Sequence, residues 1–526
     1  MKKISFFFLT LITILGGILR FYKLDQIPPS LNWDEVAAGY NAWTIVNWGA
    51  DEYGTKFPLV FRSFGDDKHP VHIYLTALVY KTFGISDYNT RASSAAVGVL
   101  SILAIYFLAT ILFKNEIVGL FAALFVSTSP YAIHYSRGLW EANFALFFFL
   151  AGIAIFYLGL TKAKWLVPFS FLFWGMSIFA YQSAEVVVPP LVFLICFIHF
   201  KDLIKDKKIL IVSALIVLLF AGLIIKDTRI LGFARINQTK FSEEMVNKYG
   251  GEANIILHNY KEYFTYSYLF QTGDVSPRAS VKVVGEFYKI DLILSIIGLL
   301  VILVKKRWET LFVLVSWLLL SPIPGAVSSL TPHATRSIFI MGPILLLSAG
   351  GAVGVIEIFK KNWARVIVAA VIILFLSLEA RNYIEYYFTQ YPIKEAIEWQ
   401  YGMKQSALYA FEQPEYVEVF VDKVRQQPYI FFLYYLRIPL PTFLSTVRYD
   451  LGHTNSFNTV SSFGRYNFGN WDPIESYPSP GILYIITPSF YSGLRFKDYF
   501  DVKKLVKYPD GSDAFFLVGG DINNER

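Results

Sequence analysis

The sequence predicts a polytopic α-helical membrane protein of about eleven spans, with helices lying at the membrane surface in its first external loop and a small α/β domain after the last span. Three observations predict it. Of 526 residues, 55% are hydrophobic and only 17% charged, where a soluble domain has about a quarter charged. Apolar runs of roughly helix-spanning length recur over the first three quarters of the chain. The links between them alternate, short and Lys/Arg-rich and then longer with most of the unusual carboxylates, histidines and arginines, as a bilayer with two unlike sides imposes.

Taken in order, the first span is expected near Ile4 to Leu19, behind Met1-Lys2-Lys3. No small-x-small cleavage site precedes Arg20 and Tyr22, so it reads as an uncleaved span with its lysines inside. Further spans are expected near Arg91 to Phe113, Ile117 to Tyr131, Asn143 to Leu160, Trp165 to Tyr181, Val186 to Phe200 and Ile209 to Ile225. Four more follow near Ile290 to Val304, Trp308 to Ile323, Ser337 to Ile356 and Ala364 to Leu378. From a cytoplasmic N-terminus, the inside links become Lys114 to Glu116, Lys162 to Lys164, Lys201 to Lys208, Lys305 to Arg307 and Lys360 to Arg365, all basic. The outside links are Tyr22 to Thr90, His134 to Ala142, Gln182 to Glu185, Lys226 to Lys289, Pro324 to Arg336 and the tail. A plasma (inner) membrane location with an extracytoplasmic C-terminal domain follows.

Within the first outside link, Asn32-Trp33-Asp34-Glu35 opens a helical stretch with Val36, Tyr40, Trp43 and Val46 on one apolar face. Trp33, Trp43 and Trp48 suit the headgroup level, so this helix is expected to lie in the interface. A second such stretch, His69 to Phe83, follows Asp66-Asp67-Lys68. Asp51 and Glu52 stand in a Gly-containing turn and read as solvated. After Glu379 the apolar runs stop. Tyr391 to Phe411 reads as helix, Tyr416 to Val421, Gly481 to Ile486 and Ala514 to Val518 as strands, and Pro509-Asp510-Gly511 as a hairpin turn. The expected division is a membrane domain over 1–380 and an external α/β domain over 381–526, whose many aromatics pack a core.

A net charge of +7 does not point to nucleic acid, because the cations sit in short links between apolar runs. The single cysteine, Cys196, lies in an apolar run and excludes a disulfide framework and a thiolate metal site.

Three outside links carry ionisable residues close to hydrocarbon: Asp34-Glu35, the stretch from Tyr135 through Arg137 and Glu141 to Asn143, and His333 with Arg336. Desolvating such groups is costly. Singly, Asp34 has a reading as a helix cap, Arg137 and Arg336 as headgroup contacts, and Glu185 as a span boundary. Together they suit transfer from a lipid-linked phosphate: a carboxylate takes the acceptor's proton while cations hold the departing phosphate. No Walker or dinucleotide sequence is present.

At these residues the chain resembles the GT-C glycosyltransferases, in the branch of protein O-mannosyltransferases and lipid A aminoarabinose transferases (glycosyltransferase family 39-like). The residues that carry the resemblance are Trp33-Asp34-Glu35, Gly54 with Pro58, Lys68-His69-Pro70, Arg91 with Ser93-Ser94, Ser136-Arg137 with Glu141, and Pro332-His333 with Arg336-Ser337. The resemblance covers roughly residues 1–380. It implies inverting transfer of one sugar, hexose or pentose, from a polyprenyl-phosphate carrier to a protein, lipid or glycan hydroxyl at the outer face. It implies Asp34 as general base with Glu35 shaping the site, and Arg137 and Glu141 in phosphate contact and acceptor placement. Lys68, His333 and Arg336 would border the donor phosphate, with His69, Tyr181 and Glu185 as pocket walls. Where many relatives have Lys-Pro-Pro, this chain has Lys68-His69-Pro70. No cofactor is required. Asp34, Glu35, Glu141, Asp66 and Asp67 supply oxygens for Mg or Mn, and the branch does not need one. The rival class is a transporter of a polar solute or lipid-linked sugar, which would place its polar groups near the midplane in paired repeats.

Overall fold

The computed structural model describes residues 3–64, 66–231, 241–423, 427–450, 459–469 and 477–520. Each expected span falls on a helix. The main helices are α1 (Lys3–Phe21), α2 (Trp33–Trp48), α3 (Pro70–Phe83), α4 (Asp87–Phe113), α5 (Glu116–Thr128), α6 (Pro130–Arg137), α7 (Glu141–Thr161), α8 (Val167–Ile178) and α9 (Gln182–Ile198). They continue with α10 (Lys207–Lys226), α11 (Lys289–Val304), α12 (Trp308–Leu320), α13 (Met341–Ile358), α14 (Asn362–Thr389), α15 (Met403–Phe411) and α16 (Pro428–Tyr435). Among the described residues, 7 helices are long and apolar enough to cross a membrane, or 8 if a bent pair is one span. The expected spans on α8, α9 and α11 are shorter than the roughly 20 residues of an upright crossing. The chain is a multi-pass membrane protein.

The bent pair is α5 and α6, which turn by 55° at Ser129-Pro130. Pro130 has no N–H to give the preceding turn, and Ser129 Oγ accepts from Ala132 N at 3.4 Å to start a new helix. The expected span ending at Tyr131 therefore stops at Thr128, and the link expected from His134 begins as helix.

The chain divides into two compact units. The first comprises Met1–Leu24, His69–His72 and Arg91–Tyr387. Here α7 packs on α8, α1 on α5, and α11 on α13. In the last pair, a Cβ on Gly298 or Gly351 would collide with the carbonyl of Leu347 or Leu294, so both glycines are required for backbones this close.

The second unit comprises Asp25–Lys68, Ile73–Thr90 and Phe388–Arg526. It holds a hairpin of β1 (Phe61–Ser63) and β2 (Asp66–Lys68). Its main sheet contains β3 (Glu418–Asp422), β4 (Arg448–Asp450), β5 (Thr459–Phe463), β6 (Tyr466–Gly469), β7 (Ile482–Ile486), β8 (Asp501–Lys507) and β9 (Asp513–Gly519). The order is β4-β5-β6-β3-β7-β9-β8, with β3 parallel to β6 and β7. Alternate residues Val419 and Val421, Leu483 and Ile485, and Phe515 and Leu517 face one core. The aromatics Tyr429, Phe431, Phe432 and Phe468 fill that core, as expected.

Helix α2 joins the same core through Val36, Ala37 and Tyr40, and Tyr40 Oη donates to Ile438 O at 2.8 Å. Val46 on the same helix stays 39% exposed. The stretch expected as one helix from Tyr391 to Phe411 is two, Tyr391–Lys394 and α15, separated by Gly402 at φ 101.

Asp51 and Glu52 are corrected by the structure: each is 1% exposed. The chain turns back on α2 after Gly49, whose φ of 62 closes the helix. Asp51 Oδ1 accepts from the backbone N–H of Tyr53 and Thr55, while Glu52 Oε2 accepts from Asn41 at 3.1 Å and Tyr429 Oη donates to its other oxygen at 3.2 Å. Burial, with Asp51 beside it, pushes the Glu52 carboxyl from its ordinary 4.5 to about 8. The folded state then holds a proton that the unfolded chain has lost between those values, so this group's stabilisation is full below about 4.5 and lost as pH rises through about 8. The expected result is a thermal midpoint that falls between pH 5 and about 8 in the protein and falls less in Glu52→Gln, read by scanning fluorimetry at several pH values.

Candidate functional site

The local sequence before α2 leaves Asp34 available. Asn32 caps the helix, its side-chain oxygen accepting from Asp34 N at 2.9 Å and Glu35 N at 3.1 Å. Glu35 answers by accepting from Asn32 N at 3.0 Å, which completes a capping box and buries its carboxylate. The cap reading thus belongs to Asn32 and Glu35. Asp34 instead lies 3.2 Å from Lys68 Nζ, with 29% and 19% of the two side chains exposed. Glu35, expected in the catalytic group, has its carboxylate in the capping box at the helix start that carries Asp34. The hairpin of β1 and β2 sets Lys68 in place by pairing it with Phe61. The side chain of Asp66 lies outside the described residues.

In the first unit, two histidines at the start of α3 each meet a carboxylate. His69 Nε2 is 2.9 Å from Glu185 Oε1 on α9, and His72 Nε2 is 3.9 Å from Glu141 Oε1 on α7. Both histidines are buried and both carboxylates partly open. Tyr181 sits at the residue before α9, half-buried.

Arg137 is placed differently from the expectation. Its Nη1 donates to Leu19 O at 2.8 Å and Arg20 O at 3.1 Å, and its Nη2 to Tyr22 O at 2.8 Å and Lys23 O at 3.3 Å. The side chain is buried, with Tyr387's ring 5.7 Å from the guanidinium carbon. These carbonyls close the C-terminal end of α1, where a cation also meets the favourable end of the helix dipole. The guanidinium ends are engaged by backbone.

His333 and Arg336 are organised by a loop that the sequence reading did not single out. Asp274, fully buried, accepts from Ala334 N at 2.5 Å and Ser276 N at 2.8 Å, and its Oδ2 lies 3.7 Å from His333 Nδ1. Burial pushes the Asp274 carboxyl above its ordinary range, opposed by those two N–H donors. Tyr263 Oη accepts from His333 N at 3.0 Å, and Arg336 Nη1 donates to Ser328 Oγ. The same loop reaches the Arg137–Glu141 stretch: the His134 ring contacts Arg278 O at 2.8 Å, and Arg278 stands over the Trp140 ring at 5.6 Å. Tyr135 Oη lies 2.9 Å from Thr335 Oγ1. The structure thus gathers α6, the start of α7, the 274–278 loop and residues 333–337 into one network. Asp274, Arg278 and His72 were missed; the available signal was Gly273-Asp274 with Pro277-Arg278, a turn with both charges inside an otherwise unassigned link.

Asp274→Ala is expected to lower transfer on the order of 10²-fold, because His333 and the backbone at Ala334 lose the group that fixes them. Steady-state kinetics separating kcat from KM check it, with Asp274→Asn expected in between. Among the described residues, no three His, Cys, Asp or Glu side chains gather as a metal site.

Known proteins share this architecture. The family described as dolichyl-phosphate-mannose-protein mannosyltransferase matches residues 67–225. No curated protein sequence matches the chain. Among solved structures, ArnT from Cupriavidus metallidurans in the apo state aligns with a TM-score of 0.58 at 11% identity, over 99% of both chains. The same ArnT bound to undecaprenyl phosphate aligns at 0.53 and 13% identity, over 98% of both. The fold is GT-C. An Archaeoglobus fulgidus oligosaccharyltransferase tethered to an acceptor peptide shares it, with a TM-score of 0.54, 12% identity, and coverage of 98% of this chain and 74% of that one. The GT-C resemblance read from the sequence is therefore upheld, and the GT-C alignment extends past residue 380 into the sheet unit.

Proposed function

We propose that this chain is a membrane glycosyltransferase that moves one sugar from a polyprenyl-phosphate carrier to an acceptor hydroxyl at the outer face of the membrane, with inversion. The observation that carries the reading is the end-to-end GT-C alignment with ArnT, one of whose structures holds undecaprenyl phosphate. Asp34 supports it as general base, since its partly exposed carboxylate lies 3.2 Å from Lys68 Nζ and a carboxylate within reach of an acceptor hydroxyl can take its proton. In the proposed step Asp34 takes the acceptor hydroxyl's proton, and the oxygen forms a bond to the sugar's anomeric carbon from the face opposite the phosphate. The bond from that carbon to the phosphate oxygen breaks, and the electron pair leaves with the polyprenyl phosphate. Lys68, beside Asp34, meets the charge on that phosphate. Glu141, with His72, and Glu185, with His69, serve acceptor placement. Arg137 contributes by fixing the end of α1. No step is assigned to Mg or Mn.

The test is incubation of the purified protein in lipid with a panel of polyprenyl-phosphate hexoses and pentoses and with peptide, lipid and glycan acceptors. Release of free carrier phosphate together with an inverted glycoside is the expected result. Solute uptake into vesicles without carrier release would replace this reading by the transporter.

A further inference from the structure

The first unit has a second polar cavity, at the end of α7 away from Glu141, about 30 Å along the helix. It is half-open and about 880 Å³, within the roughly 300–1,000 Å³ of small-molecule sites. Lys114, Lys306 and Arg307 line it, with Trp308, Tyr157 and His199. None of these residues takes part in the transfer chemistry proposed above.

Two carboxylates also line it, and both are engaged. Glu309 lies 3.0 Å from His199 Nε2, and Asp202 lies 2.8 Å from Lys205 Nζ. Among the cations, Arg307 donates to Leu112 O at 3.3 Å and so serves the end of α4, the ordinary use of a basic residue there. Lys114 and Lys306 stand on left-handed backbone, at φ 48 and 49. Each follows the end of a helix, α4 or α11, so both ammonium groups are carried on short links at the cavity. The hydroxyls of Thr110 and Tyr157 also stand in the wall, Tyr157 beside Glu309.

The surroundings select the kind of ligand. Ile111, Leu112 and Leu160 add an apolar wall. Trp308, in the lining, is 61% exposed, and Val304 and Phe197, each two residues from a lining residue in the sequence, are 81% and 70% exposed, apolar surfaces that suit acyl chains rather than water. Lysines beside an apolar, Trp-bearing rim match a phosphate ester whose remaining substituents are hydrocarbon. We propose that this cavity is a binding site for the headgroup of an anionic glycerophospholipid, held through Lys114 and Lys306, with the acyl chains lying past Trp308.

The probe is brominated phosphatidylglycerol against brominated phosphatidylcholine, added to the delipidated full-length protein in detergent, with tryptophan quenching as the readout. The anionic lipid is expected to reach half-quenching at a concentration lower by on the order of tenfold, since each basic residue near an anionic lipid contributes about fivefold. Trp308→Phe is expected to remove this difference, and Lys114→Gln with Lys306→Gln to bring the two lipids together, with size-exclusion profiles unchanged. Equal half-quenching by the two lipids in the unmodified protein would overturn the proposal, as would a difference that persists in the double variant. Full relief of quenching by millimolar inorganic phosphate would also overturn it, assigning the cavity to a soluble anion.

Discussion

Asp34→Asn is expected to reduce sugar transfer by about 10²–10⁴-fold, the usual contribution of a general base. The amide keeps the size of the side chain, and the capping box of Asn32 and Glu35 does not use it, so α2 keeps its start. What is lost is the oxygen that takes a proton and the ion pair 3.2 Å long with Lys68. A surface pair of this exposure contributes about 1 kcal/mol or less, so the thermal midpoint is expected to stay within a few degrees. The measurement is carrier phosphate released from a polyprenyl-phosphate sugar, alongside a melting curve in the same detergent. Undiminished release by Asp34→Asn would remove Asp34 from the chemistry and leave the GT-C fold without its proposed base. Asn32→Ala separates position from chemistry: it is expected to cost about 1 kcal/mol of stability and some rate, through a helix start that no longer fixes Asp34.

Arg137→Ala is expected to lose both activity and stability. Removing the guanidinium strips donors from the buried carbonyls of Leu19 and Arg20 and the partly buried carbonyls of Tyr22 and Lys23. At about 1–3 kcal/mol for each buried acceptor left unsatisfied, less whatever water recovers, a loss of about 3 kcal/mol or more is the scale. A residue that only touched the donor phosphate would behave otherwise, with activity lost and melting unchanged. Arg137→Lys discriminates further, because a single ammonium cannot serve four carbonyls in the fork geometry of a guanidinium. The expected order of melting temperatures is Arg, then Lys, then Ala, with transfer activity in the same order, read by thermal scanning and by carrier release.

The fold was legible to the extent that hydrocarbon and backbone dictate it. The expected spans fall on helices because a chain crossing a bilayer must satisfy its backbone internally, and that requirement is written in run length and composition. The break at Ser129-Pro130 was on the page, in a proline with no N–H, yet the apolar run passed straight across it. Of the tail strands, β3, β7 and β9 were found by alternation and β4, β5, β6 and β8 were not; nor was the parallel pairing of β3 with β6 and β7, because residues far apart in sequence make it. Of the apolar face read on α2, Val36 and Tyr40 are buried and Val46 is exposed, and burial extends to residues off that face such as Asn41 and Thr44. Periodicity says that a face needs cover, and Tyr40 with Ile438 and Phe443 shows that part of the cover here is protein.

The candidate site was legible in the same uneven way. Asp34 with Lys68 and His69 with Glu185 pair residues that the sequence had already singled out. Glu52 was misread because its turn looks like any polar turn, and only the fold reveals that Asn41 and Tyr429 close over it. Asp274 showed only as part of a charged turn, because its partners Ala334 and His333 lie about sixty residues away.

By itself the sequence determined that this chain lives in a bilayer, which stretches of the membrane region are helical, and which ionisable groups carry an unusual desolvation cost. Those are properties of short windows, set by transfer free energy and backbone hydrogen bonding. Only the tertiary structure decided which partners reach these groups: backbone carbonyls at the end of α1 for Arg137, the Asn32 cap for Glu35, and the Lys68 ammonium for Asp34. The reason is physical. A polar group's part depends on the donors and acceptors that reach it, and those come from segments whose meeting no local pattern encodes.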